Sequence, residues 1–124
     1  MEDRFTNLKA YQEAKQLVLQ VYGLLRLFPA YEQFALCDQL RRSVVSIPSN
    51  IAEGMGRYSE KEQVHFLEIA YGSLMEVFSQ LDIAVDLNYI SSEQFAGVKK
   101  QIEEVASLLS GLRNKRLRPT SSNL

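Results

Sequence analysis

The chain has 124 residues, which fits a single domain with a real hydrophobic core. Hydrophobic residues make up 46% and charged residues 23%, and with only three prolines and six glycines this composition argues against disorder and against a loop-rich β fold. A net charge of −1 excludes a uniformly basic nucleic-acid binder, and the single cysteine, Cys37, excludes an internal disulfide framework and any CxxC metal site.

A lone cysteine suits a reducing compartment. The opening residues MEDRFTNLKAYQEAKQ lack a basic segment followed by an apolar one, so no secretory signal is expected. No apolar run approaches the roughly 18 residues of a membrane span. We therefore expect a cytoplasmic protein with no membrane partner. The charge is uneven. No Lys or Arg lies between Lys61 and Lys99, where Glu62, Glu68, Glu76, Asp82, Asp86 and Glu93 are acidic. Without Arg113, Lys115, Arg116 and Arg118 the body holds ten basic residues against fifteen acidic ones. Any phosphate contact must come from a local patch or from the tail.

Residues 1–7 are polar and aperiodic. From Leu8 the apolar positions Tyr11, Ala14, Leu17, Val21, Leu25 and Phe28 keep a helical rhythm, which predicts a first helix over about 7–27. Phe28-Pro29 stops it, because the residue before proline is pushed out of the α region. A second helix over about 32–53 carries Cys37, Leu40, Val44, Ile47 and Ile51, spaced as the seam of a shallow-angle helix pair. Gly54 is suited to stop it in the left-handed conformation, with a helix continuing to Arg57 as the alternative. Ser59 and Glu62 have capping-box spacing at the head of a third helix, about 60–88 and roughly 43 Å long, with Asn88 at its C-terminal end. Ser91, with Gln94 three residues on, caps a fourth helix over about 92–114, and a disordered tail is expected over 119–124. Four amphipathic helices with short connections predict an all-α fold, an antiparallel up-down-up-down four-helix bundle forming one domain over 1–118.

Little in this sequence has the form of a catalytic site. Glu62 and His65 match the Glu-x-x-His spacing of di-iron bundles, but there is one histidine where such sites need two. Cys37 sits on the core stripe, where free cysteines act as small hydrophobes. Gly54-Met55-Gly56 follows no strand and lacks the third glycine of a dinucleotide fingerprint. We expect no catalytic residue, no cofactor and no metal.

The unusual stretch is Gln39–Arg57. Pro48 stands inside a helix, lacks an N–H and opposes the carbonyl of Val44, a penalty of about 3 kcal/mol in a free helix. Ser46, Ser49 and Asn50 are candidate donors to the freed carbonyl. One face carries Arg42, Ser46, Ser49, Asn50, Glu53 and Arg57, and Arg41 and Lys61 add charge beside it. Small side chains let another backbone come close, and Gly72-Ser73 on the third helix has the same character. This face reads either as a solvated, serine-rich exterior or as a subunit interface or ligand groove. Arg113, Lys115, Arg116 and Arg118 read as a solubilising end that satisfies the helix dipole, or as an RNA contact.

These residues carry a resemblance. Phe28-Pro29, Glu32 and Phe34, then Gln39-Leu40-Arg41-Arg42-Ser43, Val45 through Gly54, Gly56-Arg57, Phe66 through Ala70, Gly72 through Glu76 and Tyr89-Ile90 resemble the 23S rRNA intervening-sequence proteins, a bacterial family of four-helix-bundle proteins. The similarity spans roughly residues 5–112. It implies a ring-shaped homopentamer and an association with sequences inserted in large-subunit rRNA genes. Related bundles, the accessory variability determinants of retroelements, bind a reverse transcriptase and nucleic acid, but they are strongly basic where this body is acidic. The resemblance implies no catalytic residues. The expected partners are thus the chain itself, RNA or a protein, with Arg41, Arg42, Ser46, Ser49, Asn50, Glu53, Arg57 and Lys61 as the candidate contact residues.

Overall fold

The four stretches of apolar residues at helical spacing become four α-helices in the computed structural model, which describes residues 1–117. They are α1 (Lys9–Leu25), α2 (Leu36–Met55), α3 (Glu60–Asp86) and α4 (Ser92–Leu117), with a single 3-10 turn at Ala30–Glu32. Each helix packs on its two neighbours around the bundle, α1 on α2 and α4, α3 on α2 and α4, and the diagonal pairs stand farther apart across the shared core. Short connections make consecutive helices antiparallel. The expected tail over 119–124 lies outside the described residues.

The sequence stripes face inward. Cys37, Leu40, Val44, Ile47 and Ile51 on α2 are fully buried, as are Ala14, Leu17 and Val21 on α1 and Ala70, Leu74, Val77, Leu81 and Ala84 on α3. Ile102, Val105 and Leu109 close the core from α4. At about 1.5–3 kcal/mol for each large aliphatic side chain buried, this core dominates the stability of the fold.

The helix ends show how the sequence sets the boundaries. The Ser59 hydroxyl accepts from the Glu62 N–H at 3.0 Å. Ser91 and Gln94 bond reciprocally, Gln94 N–H to Ser91 Oγ at 3.0 Å and Ser91 N–H to Gln94 Oε1 at 2.8 Å. Asn88 has φ of 63°, the left-handed conformation, and the Tyr89 and Asn88 N–H groups reach back to the Ala84 and Val85 carbonyls, both at 2.9 Å. This is the Schellman closure, with asparagine in the place glycine usually takes.

Three boundaries differ from the sequence reading. Residues 32–35 are not α-helical. After Pro29 the chain winds as a 3-10 turn, and Ala35, with φ −122° and ψ −101°, leaves the helical path before α2 begins. Helix α4 runs past 114 to Leu117, its end held by Arg116, which donates to the Leu112 carbonyl. Gly54 is not a left-handed stop. It is buried within α2, which ends at Met55, and no glycine has positive φ. Glycine is needed there for space. A Cβ on residue 54 would lie 2.9 Å from the Phe66 Cβ and 3.4 Å from the Gln63 carbonyl oxygen.

Helix α1 has 17 residues against 27 in α3. The lead-in supplies what α1 lacks at that end. Asp3 accepts from the Thr6 hydroxyl at 2.7 Å and from the Thr6 N–H at 2.8 Å, bonds that hold its carboxyl below the usual range. Arg4 donates to the Met55 and Arg57 carbonyls, each at 2.6 Å, closing the C-terminus of α2.

The Gly54 contact leads to a stability prediction. Gly54→Ala gains about 1 kcal/mol of helix propensity but incurs an overpacking cost of about 1–3 kcal/mol, because the opposing atom is a Cβ that cannot swing aside. We expect a net loss of roughly 1 kcal/mol in urea unfolding, with the m-value unchanged.

Candidate interaction surfaces

Helix α2 runs unbroken through Pro48, which is buried. The Asn50 amide does not reach the carbonyl that proline frees. It donates to the Ser46 carbonyl at 2.8 Å and to the Ser46 hydroxyl at 2.9 Å. Ser46 Oγ in turn lies 2.9 Å from Ser73 Oγ on α3. One turn earlier the buried Ser43 hydroxyl donates to Gln80 Oε1 at 2.8 Å. The small-residue face of α2 is therefore divided. Ser46 and Asn50 are half-buried toward α3, while Ser49 is exposed and lies with Val45 and Pro48 on the side of α1.

The candidate cations are also separated. Arg41 is half-buried and donates to the Gln33 carbonyl at 2.7 Å, so it clamps the turn before α2. Arg42 is exposed and pairs with Asp38 at 3.0 Å. It shares a shallow polar cleft of about 300 Å³ with Ser46, Ser73 and Glu76, so the basic side of α2 and an acid of α3 meet within one subunit. Arg57 lies 3.8 Å from Glu53 and stacks over the Phe66 ring at 4.9 Å from its centroid. Exposed pairs of this kind contribute about 0–1 kcal/mol. Lys61 is exposed in the first turn of α3, and among the described residues no carboxylate lies within ion-pair distance of it. Arg57, Lys61, Glu62, His65 and Phe66 line one open cleft of about 490 Å³ at this end of the bundle.

The basic C-terminus is tied to α3. Arg113 pairs with Glu68 at 3.0 Å. Arg116 donates to Gln63 Oε1 at 2.7 Å, and the Gln63 amide donates to the Arg57 carbonyl at 2.8 Å. Arg118 lies outside the described residues.

Two surfaces were not singled out by the sequence reading. An open, mainly apolar groove of about 500 Å³ lies between α1 and α2, lined by Val18, Leu19, Val45, Pro48 and Ala52, with Phe5 of the lead-in as one wall. At the opposite end, in the connection before α2, Phe34 is 94% exposed. The signal in both cases was apolar residues off the helical stripes. Leu19 and Val45 fit no core position of their helices, and Phe34 belongs to no stripe at all. Beside Phe34, the Tyr89 hydroxyl donates to Glu32 Oε2 at 2.6 Å, a bond that pushes its pKa well above the ordinary phenol value.

His65 is exposed, and no group of three potential metal-ligating side chains occurs among the described residues. No helix among them is long and apolar enough to cross a membrane. Cys37 is fully buried, and burial pushes its thiol pKa up.

The sequence profile of the 23S rRNA-intervening sequence protein family matches residues 6–111. The chain belongs to this family. Among solved structures, the chain is similar to a protein with unknown function from the S23 ribosomal protein family of Bacteroides thetaiotaomicron. It is 22% identical in sequence and superposes with a TM-score of 0.77 over 84% of this chain and 97% of that one. At that identity the likeness supports the bundle fold. No curated protein matches the chain.

The state of Cys37 can be checked directly. A thiol-reactive disulfide reagent should label the native protein slowly and the urea-unfolded protein about tenfold faster or more, because the reactive thiolate is disfavoured and shielded in the core. Rapid labelling of the native protein would show that α2 does not bury this residue.

Proposed function

We propose that the chain is a non-catalytic building block of a homo-oligomeric ring, a pentamer, that associates with RNA in the cytoplasm. The observation that carries the assembled form is apolar surface left outside the bundle. Phe34 is 94% exposed, Tyr31 76% and Leu19 65%, and exposed apolar patches mark interaction sites. A ring needs two different, mutually fitting patches on each subunit. The groove between α1 and α2 and the Phe34 end are two different apolar features that support this reading. The pentameric number rests on the family resemblance.

RNA as the partner is supported by the family's name, which ties it to intervening sequences of 23S rRNA, and by the cleft of Arg57, Lys61, Glu62 and His65, where the two cations Arg57 and Lys61 stand beside the Phe66 ring. A second reading, a scaffold for a protein partner with no RNA role, is favoured by the ion pairing of Arg42, Arg57 and Arg113. The acidic stretch of α3 favours it as well.

Light scattering at micromolar concentration should return a mass five times the 14.2 kDa of one chain. A monomer rejects the assembled form. Binding to single-stranded RNA should weaken steeply with salt, and reversing both charges, Arg57→Glu with Lys61→Glu, should flatten the log–log salt slope by about 1.5–2 per subunit engaged. If no RNA is retained at low salt, the scaffold reading replaces the RNA one.

A further inference from the structure

We infer that Phe34 of one copy seats in the α1–α2 groove of the next copy, so that the ring is built from a repeated knob-and-groove contact. This rests on the assembled form proposed above and names the surfaces that make it.

Phe34 is presented rigidly. The residues on both sides of it are tied down. The Glu32 carbonyl accepts from the Ala35 N–H at 3.0 Å, and the Glu32 carboxylate accepts from the Leu36 N–H and from Tyr89. The Gln33 carbonyl is held by Arg41. A side chain fixed on such a turn loses little entropy on binding, the condition that makes an aromatic residue an effective anchor. Yet its ring is 94% exposed and so has nothing of its own chain to cover it.

The groove is shaped for a ring. Its floor is Val18, Leu19, Val45, Pro48 and Ala52, and its volume of about 500 Å³ exceeds that of one aromatic side chain. Within one molecule Phe34 cannot reach it. Val45 and Ala52 lie 11 and 18 residues further along the chain, roughly 17–27 Å at the helical rise. The occupant must come from another copy. The charges agree, since Glu32 flanks Phe34 and Lys15 lines the groove, and neither has an ion-pair partner among the described residues, whereas Asp38 is already paired with Arg42. Because knob and groove are different patches, the contact is heterologous and repeats until the rotation closes.

Phe34→Asp and Leu19→Asp test this, both at exposed positions where folding should persist, as circular dichroism can verify. Phe34→Asp keeps its groove and Leu19→Asp keeps its knob. At a concentration where the wild type is assembled, each variant alone should scatter as a monomer. Mixed in equal amounts, the two should form a heterodimer and nothing larger, because one intact knob meets one intact groove. If the wild type assembles but both variants keep its mass, the contact lies elsewhere and the inference is overturned while the ring stands. If both variants are monomers and their mixture remains monomeric, the pairing of these two patches is likewise overturned. A wild-type monomer overturns the assembled form itself.

Discussion

Helices α2 and α3 share the most extensive packing in the bundle, and that contact depends on small residues standing where the two meet. Gly54 leaves room for Phe66, and Ser46 meets Ser73 at hydroxyl–hydroxyl distance. The same seam carries polar groups that fix its register. Ser43 and Gln80 are buried and bonded across the seam, so a slide of one helix along the other by a single turn would take the Ser43 hydroxyl from Gln80 Oε1, at about 1–3 kcal/mol if that acceptor is left unpaired. Small size permits the approach, and hydrogen bonding selects one alignment from several that apolar packing alone would accept.

Arginine has an unexpected place in this architecture. Arg4, Arg41 and Arg116 each reach backbone carbonyls, at the end of α2, at the turn before α2 and in the last turns of α4. Arg4 and Arg116 stand at helix C-termini, where the dipole favours a positive charge, while Arg41 satisfies a carbonyl of the turn before α2. A guanidinium carries enough donors to satisfy two carbonyls at once, as Arg4 does with Met55 and Arg57. Much of the basic charge therefore holds segments of the chain together.

The helices and their buried faces were legible in the sequence because periodicity reports the core directly. Every stripe residue of α2 from Cys37 to Ile51 is fully buried, and the caps at Ser59, Asn88 and Ser91 act as their residue types suggest. The reading failed where a residue's role depends on a distant neighbour. Gly54 looked like a stop because glycine usually supplies backbone freedom, yet here it supplies space for a residue twelve positions on. The single polar face of α2 looked like one surface, but α3 covers Ser46 and Asn50 and leaves Ser49 to the other side. Arg41 and Arg42 are adjacent in sequence and point to unrelated tasks, one to Gln33 and the other to Asp38. Local pattern carries no information about which neighbour will claim a side chain.

The short first helix gives the α1–α2 groove walls of unequal stiffness. Most of its lining stands on two helices anchored in the core, but Phe5 belongs to the lead-in, which is held by an exposed turn at Asp3, by the Arg4 bonds to α2 and by the edge-on contact of Phe5 with Tyr11. Such solvent-side bonds open at far lower free energy than core helices do. The groove is thus a vice with one fixed jaw and one sprung jaw. The Phe5 side is the less firmly anchored of its walls, while Pro48 and Ala52 stand on α2.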